Sequence, residues 1–528
     1  MRTLTALFTT GLLLAATASA QGQARTVTGT VRSSLDGKPV AEAVVRVQGA
    51  VAGTRTTASG TFIIEVPAGT TDILVVTHPD HDPLEVAIQG RSTVEVTLVS
   101  SVRYNQYGVR VNRTPLSPEE RDGILVFESR DGSYRFWMDM RVNVDGAVVM
   151  GDQFNENGSG AEMRRARIGV KAQFRRNWYG EVDMDFADSR ADLKDAYLMY
   201  SVPGGGLDLK FGNFKEVFSL ETNTTSRYLT FLERPMVTRA LTPSRHIGVG
   251  VTWSQPFVLL AGGVHFQDVG GWEEVQNRKD NNADYGADEG YSLTGKVILM
   301  PGYHDPDQGI HVGLAGSYRT PKTDDEIGKM RFDTRGPANV NRRKYLDTDR
   351  MEDVDHSVLV GLDLAAYRKG FRVQGEYTTV DVTRIDQLPG EHFNGFYLQG
   401  SALMFGGRYQ YNTGEGEFTQ PALGSARGDL ELAARYEYLD LNSRADGVMG
   451  GSGDAWTLGL NYYPNNNVKF MVNYAIVNHD RYANGRGRLF IGTDAAGNKT
   501  TNPLLAVEPD GEAGEDYRVL AVRVQVSF

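Results

Sequence analysis

The feature that most constrains the fold of this chain is an alternation of apolar and polar residues that recurs from Tyr134 to the C-terminus. In residues 517–528, every second residue from Leu520 onward is apolar, and Arg523 and Gln525 lie between them. This spacing indicates a strand with one apolar and one polar face. A tilted strand of about 9–11 residues is long enough to cross a bilayer, so the pattern favours a membrane β-barrel.

Sixteen runs of this kind are predicted as strands. They span residues 134–150, 162–175, 178–188, 193–202, 207–214, 245–253, 257–267, 291–300, 310–320, 356–368, 371–381, 393–405, 429–441, 455–463, 468–479 and 517–528. Their connections alternate between short and long, except at 189–192 and 406–428. Outer-membrane barrels combine an even strand number with short periplasmic turns and long external loops.

The sequence therefore predicts an all-β fold in which residues 134–528 form a 16-stranded antiparallel transmembrane β-barrel. The sheet should close on itself, because an open sheet edge cannot lie in hydrocarbon. A soluble β-sandwich is disfavoured, because one face stays apolar in run after run.

The first residues indicate export from the cytoplasm. Arg2 precedes an apolar stretch from Leu4 to Ala16, and the Ala-Ser-Ala tripeptide at 18–20 is typical of a signal-peptide cleavage site. We therefore expect residues 1–20 to be a signal peptide. A transmembrane helix needs about 18 consecutive apolar residues, and no later apolar run is that long. The chain has no Cys, which excludes a disulfide scaffold and a Cys-based zinc site.

Residues 21–100 contain six or seven short alternating runs separated by turns, which predicts a small β-sandwich. The phrases VTGTVRSSLDGKPVAEAVVRVQG (27–49) and TTASGTFIIEVPAG (56–69) resemble the carboxypeptidase regulatory-like domain. The resemblance implies an accessory module and says nothing about activity. Residues 101–133 are expected to be a linker, in which Ser117 caps a single helical turn.

Phrases along the predicted barrel resemble the phosphate-selective porin O and P family. They include MRRARIGVKAQF (163–174), LKFGNFKEVFSLE (209–221), TSRYLTFLERP (225–235) and LELAARYEYLDLNS (430–443), and the chain ends in Phe528. The resemblance covers about residues 130–528. It implies a trimeric porin that passes small anions such as phosphate through a basic constriction. It also implies that the barrel-assembly machinery reads the terminal aromatic residue.

A barrel of sixteen strands encloses more volume than its inward side chains fill, which predicts an aqueous lumen. We expect the basic and aromatic connection 215–244 to fold inward and narrow this lumen. Arginine suits phosphate because its planar fork makes two hydrogen bonds and stays charged. The candidate residues of the anion pathway are Arg165, Arg167, Lys171, Lys215, Arg227, Arg234, Arg239, Arg319, Arg372 and Arg435. Acidic residues such as Asp139 and Glu181 share the inward faces, so selectivity must depend on local arrangement.

The sequence carries no recognisable catalytic, cofactor-binding or metal-binding motif, so we predict a channel rather than an enzyme, with no cofactor. The 66 acidic against 55 basic residues argue against nucleic acid as a partner. The expected partners are outer-membrane lipid, small anions and two further copies of the chain, with the N-terminal domain in the periplasm. Three alternatives stay open: a non-selective or differently selective porin, a plugged transporter, and a surface-binding barrel.

Overall fold

The computed structural model describes residues 24–528 except 52, 113, 155, 188, 270–289, 322–327, 387, 445–446 and 508–512. The signal peptide predicted at 1–20 lies outside the described residues. The chain divides after Pro115 into two compact units, and both consist mainly of β-strands. The helices of the described residues are α1 (Leu220–Asn223) and α2 (Met236–Leu241). Neither is long and apolar enough to cross a membrane as a helix.

The first unit contains two small sheets that share one apolar core. Its strands are β1 (Arg25–Ser33), β2 (Val44–Val47), β3 (Gly53–Arg55), β4 (Thr61–Val66), β5 (Ile73–His78), β6 (His81–Ala87), β7 (Thr93–Leu98), β8 (Val102–Tyr104) and β9 (Arg110–Asn112). The sheets have the orders β4-β1-β7 and β3-β2-β5-β6, while β8 and β9 form a hairpin. Gly29 permits close packing, because a Cβ there would lie 2.5 Å from the Phe62 ring. The predicted β-sandwich is confirmed.

The second unit is a closed barrel of sixteen strands. They are β12 (Tyr134–Met150), β13 (Gly160–Phe174), β14 (Trp178–Asp185), β15 (Asp192–Val202), β16 (Leu207–Lys215), β17 (Arg245–Gln255), β18 (Val258–His265), β19 (Ser292–Leu299), β20 (Gln308–Arg319), β21 (Val354–Arg368), β22 (Phe371–Arg384), β23 (Glu391–Leu403), β26 (Asp429–Ser443), β27 (Val448–Tyr463), β28 (Val468–His479) and β31 (Tyr517–Ser527). Neighbours pair antiparallel, and β31 pairs with β12 to close the ring. The predicted 16-stranded barrel is confirmed.

The two faces of the barrel wall follow the alternation in the sequence. On β31, Leu520, Val522 and Val524 are 41–46% exposed on the outside, whereas Arg523 and Gln525 are buried on the inside. This arrangement suits a wall with lipid on one side, because apolar side chains lose nothing in hydrocarbon while charged ones need polar partners.

The connections differ in length between the two ends of the barrel. At the end where β12 begins, here the short-turn end, they span 175–177, 203–206, 256–257, 300–307, 369–370, 404–428 and 464–467. At the other end, here the long-connection end, they span 151–159, 186–191, 216–244, 266–291, 320–353, 385–390, 444–447 and 480–516. The latter group includes a hairpin of β29 (Gly492–Thr493) and β30 (Lys499–Thr500). Both predicted exceptions, near 189–192 and 406–428, are present.

A hairpin precedes the barrel where a linker with one helical turn was predicted. Strands β10 (Leu116–Arg121) and β11 (Ile124–Ser129) pair with each other, and β11 pairs with the start of β12. The helical turn predicted at Ser117 is wrong, because Ser117 pairs with Glu128 in this sheet. The sequence signal for the hairpin is Asp122-Gly123, whose positive φ angles of 51° and 85° suit a two-residue turn.

Two connections fill much of the barrel interior. Residues 216–244, here called the constriction segment, contain α1 and α2 and contribute Phe218, Leu232 and Val237 to an apolar core. The wall side of this core includes Leu439 and Met471. Residues 404–428, here called the inward hairpin, contain β24 (Tyr411–Asn412) and β25 (Glu417–Phe418). The lumen is therefore only partly open to water.

A buried carboxyl group joins two connections at the long-connection end. Glu515 is fully buried, and its Oε1 accepts a hydrogen bond from the backbone N–H of Gln153 (2.7 Å). Burial raises the pKa of Glu515 to about 9, and the neighbouring carboxylate of Asp152 adds to the rise. Glu515 is therefore protonated at neutral pH beside the Asp152 carboxylate.

This proton links the contact to pH. Because the folded state binds more protons than the unfolded state between the ordinary carboxyl pKa and about 9, the contact weakens as pH rises through that window. We expect protease cleavage of connection 480–516 to become faster, relative to a Glu515→Gln variant, between pH 5 and pH 9. The Glu515→Gln variant is the control for the native protein at each pH. A constant ratio of the two cleavage rates would show that Glu515 does not titrate in this range.

Candidate functional site

The barrel wall holds the constriction segment through the carbonyl groups of residues 227–233. In each case a wall side chain donates to a backbone carbonyl of the segment: Gln525 to Arg227 (2.9 Å), Lys469 to Leu229 (2.6 Å), Asn461 to Thr230 (2.8 Å), Arg523 to Leu232 (2.6 Å) and Arg435 to Glu233 (2.9 Å). Buried carbonyls need such partners when they lie outside regular structure. The path of the segment is therefore set by inward-facing polar residues of β26, β27, β28 and β31.

An ion-pair network fixes the same region by charge. The Glu233 carboxylate, which is 3% exposed, accepts two hydrogen bonds from Arg164 (2.7 and 2.9 Å) and one from Arg523 (3.1 Å). Arg523 in turn makes two hydrogen bonds to Asp145 on β12 (2.6 and 2.7 Å). Each buried charge thus has an opposite charge within hydrogen-bond distance, which is the condition for burying it.

A β-bulge explains how Arg164 reaches this network. The pairing between β12 and β13 moves from Asn143 with Arg165 to Val144 with Met163, which leaves Arg164 as an extra residue. A bulge re-aims the side chains beside it. Strict alternation would place Arg164 outside the barrel, so it was not among the predicted residues.

Between the constriction segment and the wall formed by β12–β17 lies a cavity of about 620 Å³. Fifteen charged side chains line it. The cationic ones are Arg141, Arg167, Lys171, Lys210, Lys215, Arg227, Arg234 and Arg245, and the acidic ones are Asp139, Glu181, Asp183, Asp195, Asp208, Glu415 and Glu417. Lys210 and Arg245 were also not predicted, although Lys210 alternates with outward apolar residues on β16.

Five of the ten predicted residues line this cavity: Arg167, Lys171, Lys215, Arg227 and Arg234. Arg319 lines a second cavity of about 400 Å³, where it donates to both carboxylate oxygens of Glu216 (2.9 Å each).

The other four predicted residues line neither cavity; Arg239 belongs to the constriction segment itself. They are Arg165 and Arg435, which are 4% and 1% exposed, Arg239, which donates to the carbonyl of Gly336 (3.0 Å), and Arg372, which donates to Thr230. Arg239, Arg372 and Arg435 thus have structural contacts, and Arg165 is buried, so none of the four lies on the water-filled path. The sequence placed Arg165, Arg372 and Arg435 on inward faces but carried no signal that the segment covers them.

Four cations of the larger cavity are here called the basic cluster. They are Arg141, Lys215, Arg227 and Arg234. Arg141 donates to the Ser226 hydroxyl (2.5 Å), and its Nε has no hydrogen-bond partner among the described residues. Arg227 has one carboxylate nearby, with Nη2 at 3.4 Å from Asp139 Oδ2.

Lys215 and Arg234 both hold the C-terminal end of α1. Lys215 Nζ donates to the carbonyl of Asn223 (2.9 Å), and Arg234 donates to the carbonyls of Glu221 (2.8 Å) and Thr224 (2.6 Å). Helix C-termini leave carbonyls without intrahelical partners, and cations satisfy them well. The carbonyl oxygens satisfy these donors without supplying a negative charge.

The remaining cavity cations are largely paired with acids. Arg167 pairs with Asp185 (2.8 Å), Arg245 with Asp195 (2.7 Å), and Lys171 with Asp139 and with Glu181 (3.6 Å). Oxygens of Glu181, Asp183 and Asp195 lie within 4.8 Å of one another, a spacing that would also suit a divalent cation. Lys171 and Arg245 already neutralise two of these carboxylates, so we assign the group to a charge-balanced wall.

A closed sixteen-stranded barrel with an inward connection and a charged cavity defines a channel-forming protein of the bacterial outer membrane. The family described as phosphate-selective porin O and P matches residues 136–497, and the carboxypeptidase regulatory-like domain matches residues 26–101. The chain belongs to the phosphate-selective porin O and P family, and both predicted resemblances are confirmed.

Two related proteins show how far this likeness extends. An uncharacterized protein of Caulobacter vibrioides is 27% identical over 325 residues, which cover 61% of this chain and 64% of that protein. Porin O of Pseudomonas aeruginosa is 23% identical over 399 residues, which cover 69% of this chain and 88% of Porin O. The match thus spans less than two thirds of the Caulobacter protein.

Solved structures of similar proteins include OmpT, an outer membrane protein of Vibrio cholerae. It has a TM-score of 0.45 and 12% identity, covering 75% of this chain and 98% of OmpT. An anion-selective porin from Comamonas acidovorans has a TM-score of 0.44 and 13% identity, covering 75% of this chain and all of that one.

Proposed function

We propose that this porin conducts small anions, with inorganic phosphate among them, through the cavity beside the constriction segment. The observation that carries the proposal is the basic cluster. Its four cations line one cavity, and among the described residues only Arg227 has a carboxylate oxygen within 4.0 Å. A permeating anion would supply the missing negative charge.

Four cations that line one open cavity suit conduction rather than tight binding. Ions pass quickly when several weak sites succeed one another. Guanidinium groups bind phosphate oxygens in pairs, and three of the four members are arginines. The family description names phosphate as the selected ion, and this chemistry is consistent with it.

A non-selective porin is the second candidate. Eight cationic and seven acidic side chains line the cavity, so its total charge is close to neutral. Under this alternative the positive and negative side chains would give a net electrostatic potential near zero along the path. Anions and cations would then pass at similar rates.

We also propose the placement and partners of the barrel. The short-turn end faces the periplasm, as in bacterial barrels generally, which puts the N-terminal sandwich there. Phe528 is 38% exposed beside the backbone pairing with Met140 and is the proposed signal for the barrel-assembly machinery. The apolar outer wall contacts lipid, and three copies form the proposed assembly.

The test is the reversal potential of single channels in a KCl gradient across a planar bilayer. The reversal potential of the native protein should have the sign expected for chloride selectivity. Millimolar phosphate should reduce the chloride current. Arg141→Gln with Arg227→Gln should lower the anion-to-cation permeability ratio by roughly fivefold, since two lumen charges are lost. Arg135→Gln is the control, because Arg135 pairs with Glu128 (2.6 Å) and does not line the cavity. Preference for potassium would refute the proposal.

A further inference from the structure

The inward hairpin brings two carboxyl groups into the cavity from the short-turn end. Its tip, residues 413–416, joins β24 to β25, and Gly416 adopts a left-handed φ of 68° in this turn. Glu415 at the tip is exposed to the lumen, whereas Glu417 is 8% exposed. Both line the cavity that also contains Lys215 and Arg234.

The base of the hairpin is fixed by a buried carboxylate. Asp429, which is fully buried, accepts hydrogen bonds from the backbone N–H groups of Phe405 (2.9 Å), Gly407 (2.8 Å) and Gly424 (3.0 Å). Arg408 pairs with Asp307 (2.8 Å) on the neighbouring connection. These contacts set both arms of the hairpin at the wall.

Aromatic residues then hold the arms inside the barrel. Tyr409 donates to Glu431 (2.6 Å), and Tyr411 Oη lies 2.5 Å from His311 Nδ1. The Arg372 guanidinium lies over the rings of Tyr409 (4.6 Å) and Phe418 (4.8 Å). A hairpin held at its base and along both arms is a permanent part of the pore wall, so its tip charges stay in place.

The charges at the tip act on the basic cluster. Burial raises the pKa of Glu417 to about 8, while the nearby cations Lys215 and Arg234 oppose the rise and Glu415 adds to it. Glu417 is therefore largely protonated at neutral pH, and Glu415 is the exposed carboxyl group at the tip. The hairpin enters from the short-turn end, and Glu415 lines the same cavity as the basic cluster.

We propose that the tip of the inward hairpin is a tethered anion that weakens the cationic site at Lys215 and Arg234, so that a permeating anion is released rather than retained. This inference rests on the proposed anion conduction. The physical basis is competition: a fixed carboxyl group near Lys215 and Arg234 lowers the positive potential that a mobile anion experiences there. Release is the step that a series of attractive sites would otherwise slow.

The experiment measures the phosphate concentration that halves the single-channel chloride current. Glu415→Gln should lower this concentration by roughly fivefold, as expected for removing one nearby charge in a wet lumen. Adding Glu417→Gln should change it little at neutral pH, because burial keeps that carboxyl group largely protonated. Glu119→Gln is the matched control, because Glu119 is exposed on β10 outside the lumen and should leave the value unchanged. Gln keeps the size of Glu, and Glu415→Gln alone decides the matter if the double variant fails to assemble.

The outcomes separate this inference from the proposed function. If both glutamine variants keep the native half-block concentration while Arg234→Gln raises it, the tethered anion is refuted and anion conduction stands. If the native channel prefers potassium, the proposed function fails, and the tethered anion fails with it.

Discussion

Replacing Glu233 with Ala is expected to release the constriction segment from the wall and to leave a wider and less selective pore. Glu233 is the shared acceptor for Arg164 and Arg523, and all three side chains lie between the segment and the wall. Removing one member of a buried ion pair typically costs about 3–5 kcal/mol, because the partner charge stays buried without compensation. This loss of free energy destabilises the position in which the segment is docked against the wall.

The barrel itself should survive this change. Its sixteen strands are held by backbone pairing around a closed ring, and Glu233 belongs to none of them. We therefore expect Glu233→Ala to keep the heat-resistant, folded form on gels while single-channel conductance rises and anion preference falls. Glu352→Ala is the control, since its carboxylate is 66% exposed and pairs only with Lys329 at 2.8 Å among the described residues; such pairs contribute about 0–1 kcal/mol. Native conductance in Glu233→Ala would show that the apolar contacts alone hold the segment.

The strands were predictable because alternation is a local property of the sequence. Each run carries its own outward and inward face, so the sixteen strands and the faces of residues such as Arg167 and Lys171 follow without knowledge of the rest of the chain. The uneven lengths of the connections were equally local. The hairpin of β10 and β11 was missed because Ser117 and Pro118 favour a helical turn locally, whereas Ser117 pairs with Glu128 in the sheet.

The roles of the predicted cations were less predictable. Arg165 and Arg435 do face inward, but whether a lumen residue meets water or protein depends on the course of the constriction segment. That course is set by donors more than 200 positions away, such as Arg435 to the Glu233 carbonyl. The bulge that turns Arg164 inward is a change of register between two strands, and alternation within one strand cannot reveal it.

The second large effect is expected from a thiol placed in the cavity. The chain contains no Cys, so Thr225→Cys on the constriction segment provides a single reactive group. Thr225 is partly exposed and lines the cavity with Arg141 and Arg227. We expect a sulfonate-bearing methanethiosulfonate reagent to remove most of the single-channel current, because the attached group occupies the path. Leu458→Cys is the control, since Leu458 is 58% exposed on the outer face of β27 and its modification should leave the current unchanged.

The rate at which Thr225→Cys reacts with reagents of opposite charge tests most directly whether an inward segment forms a cation-lined pore. A positive local potential raises the local concentration of an anionic reagent. The expected result is roughly tenfold faster loss of current with the sulfonate reagent than with the trimethylammonium reagent of similar size. Equal rates, a faster reaction with the cationic reagent, or no loss of current with either would contradict it.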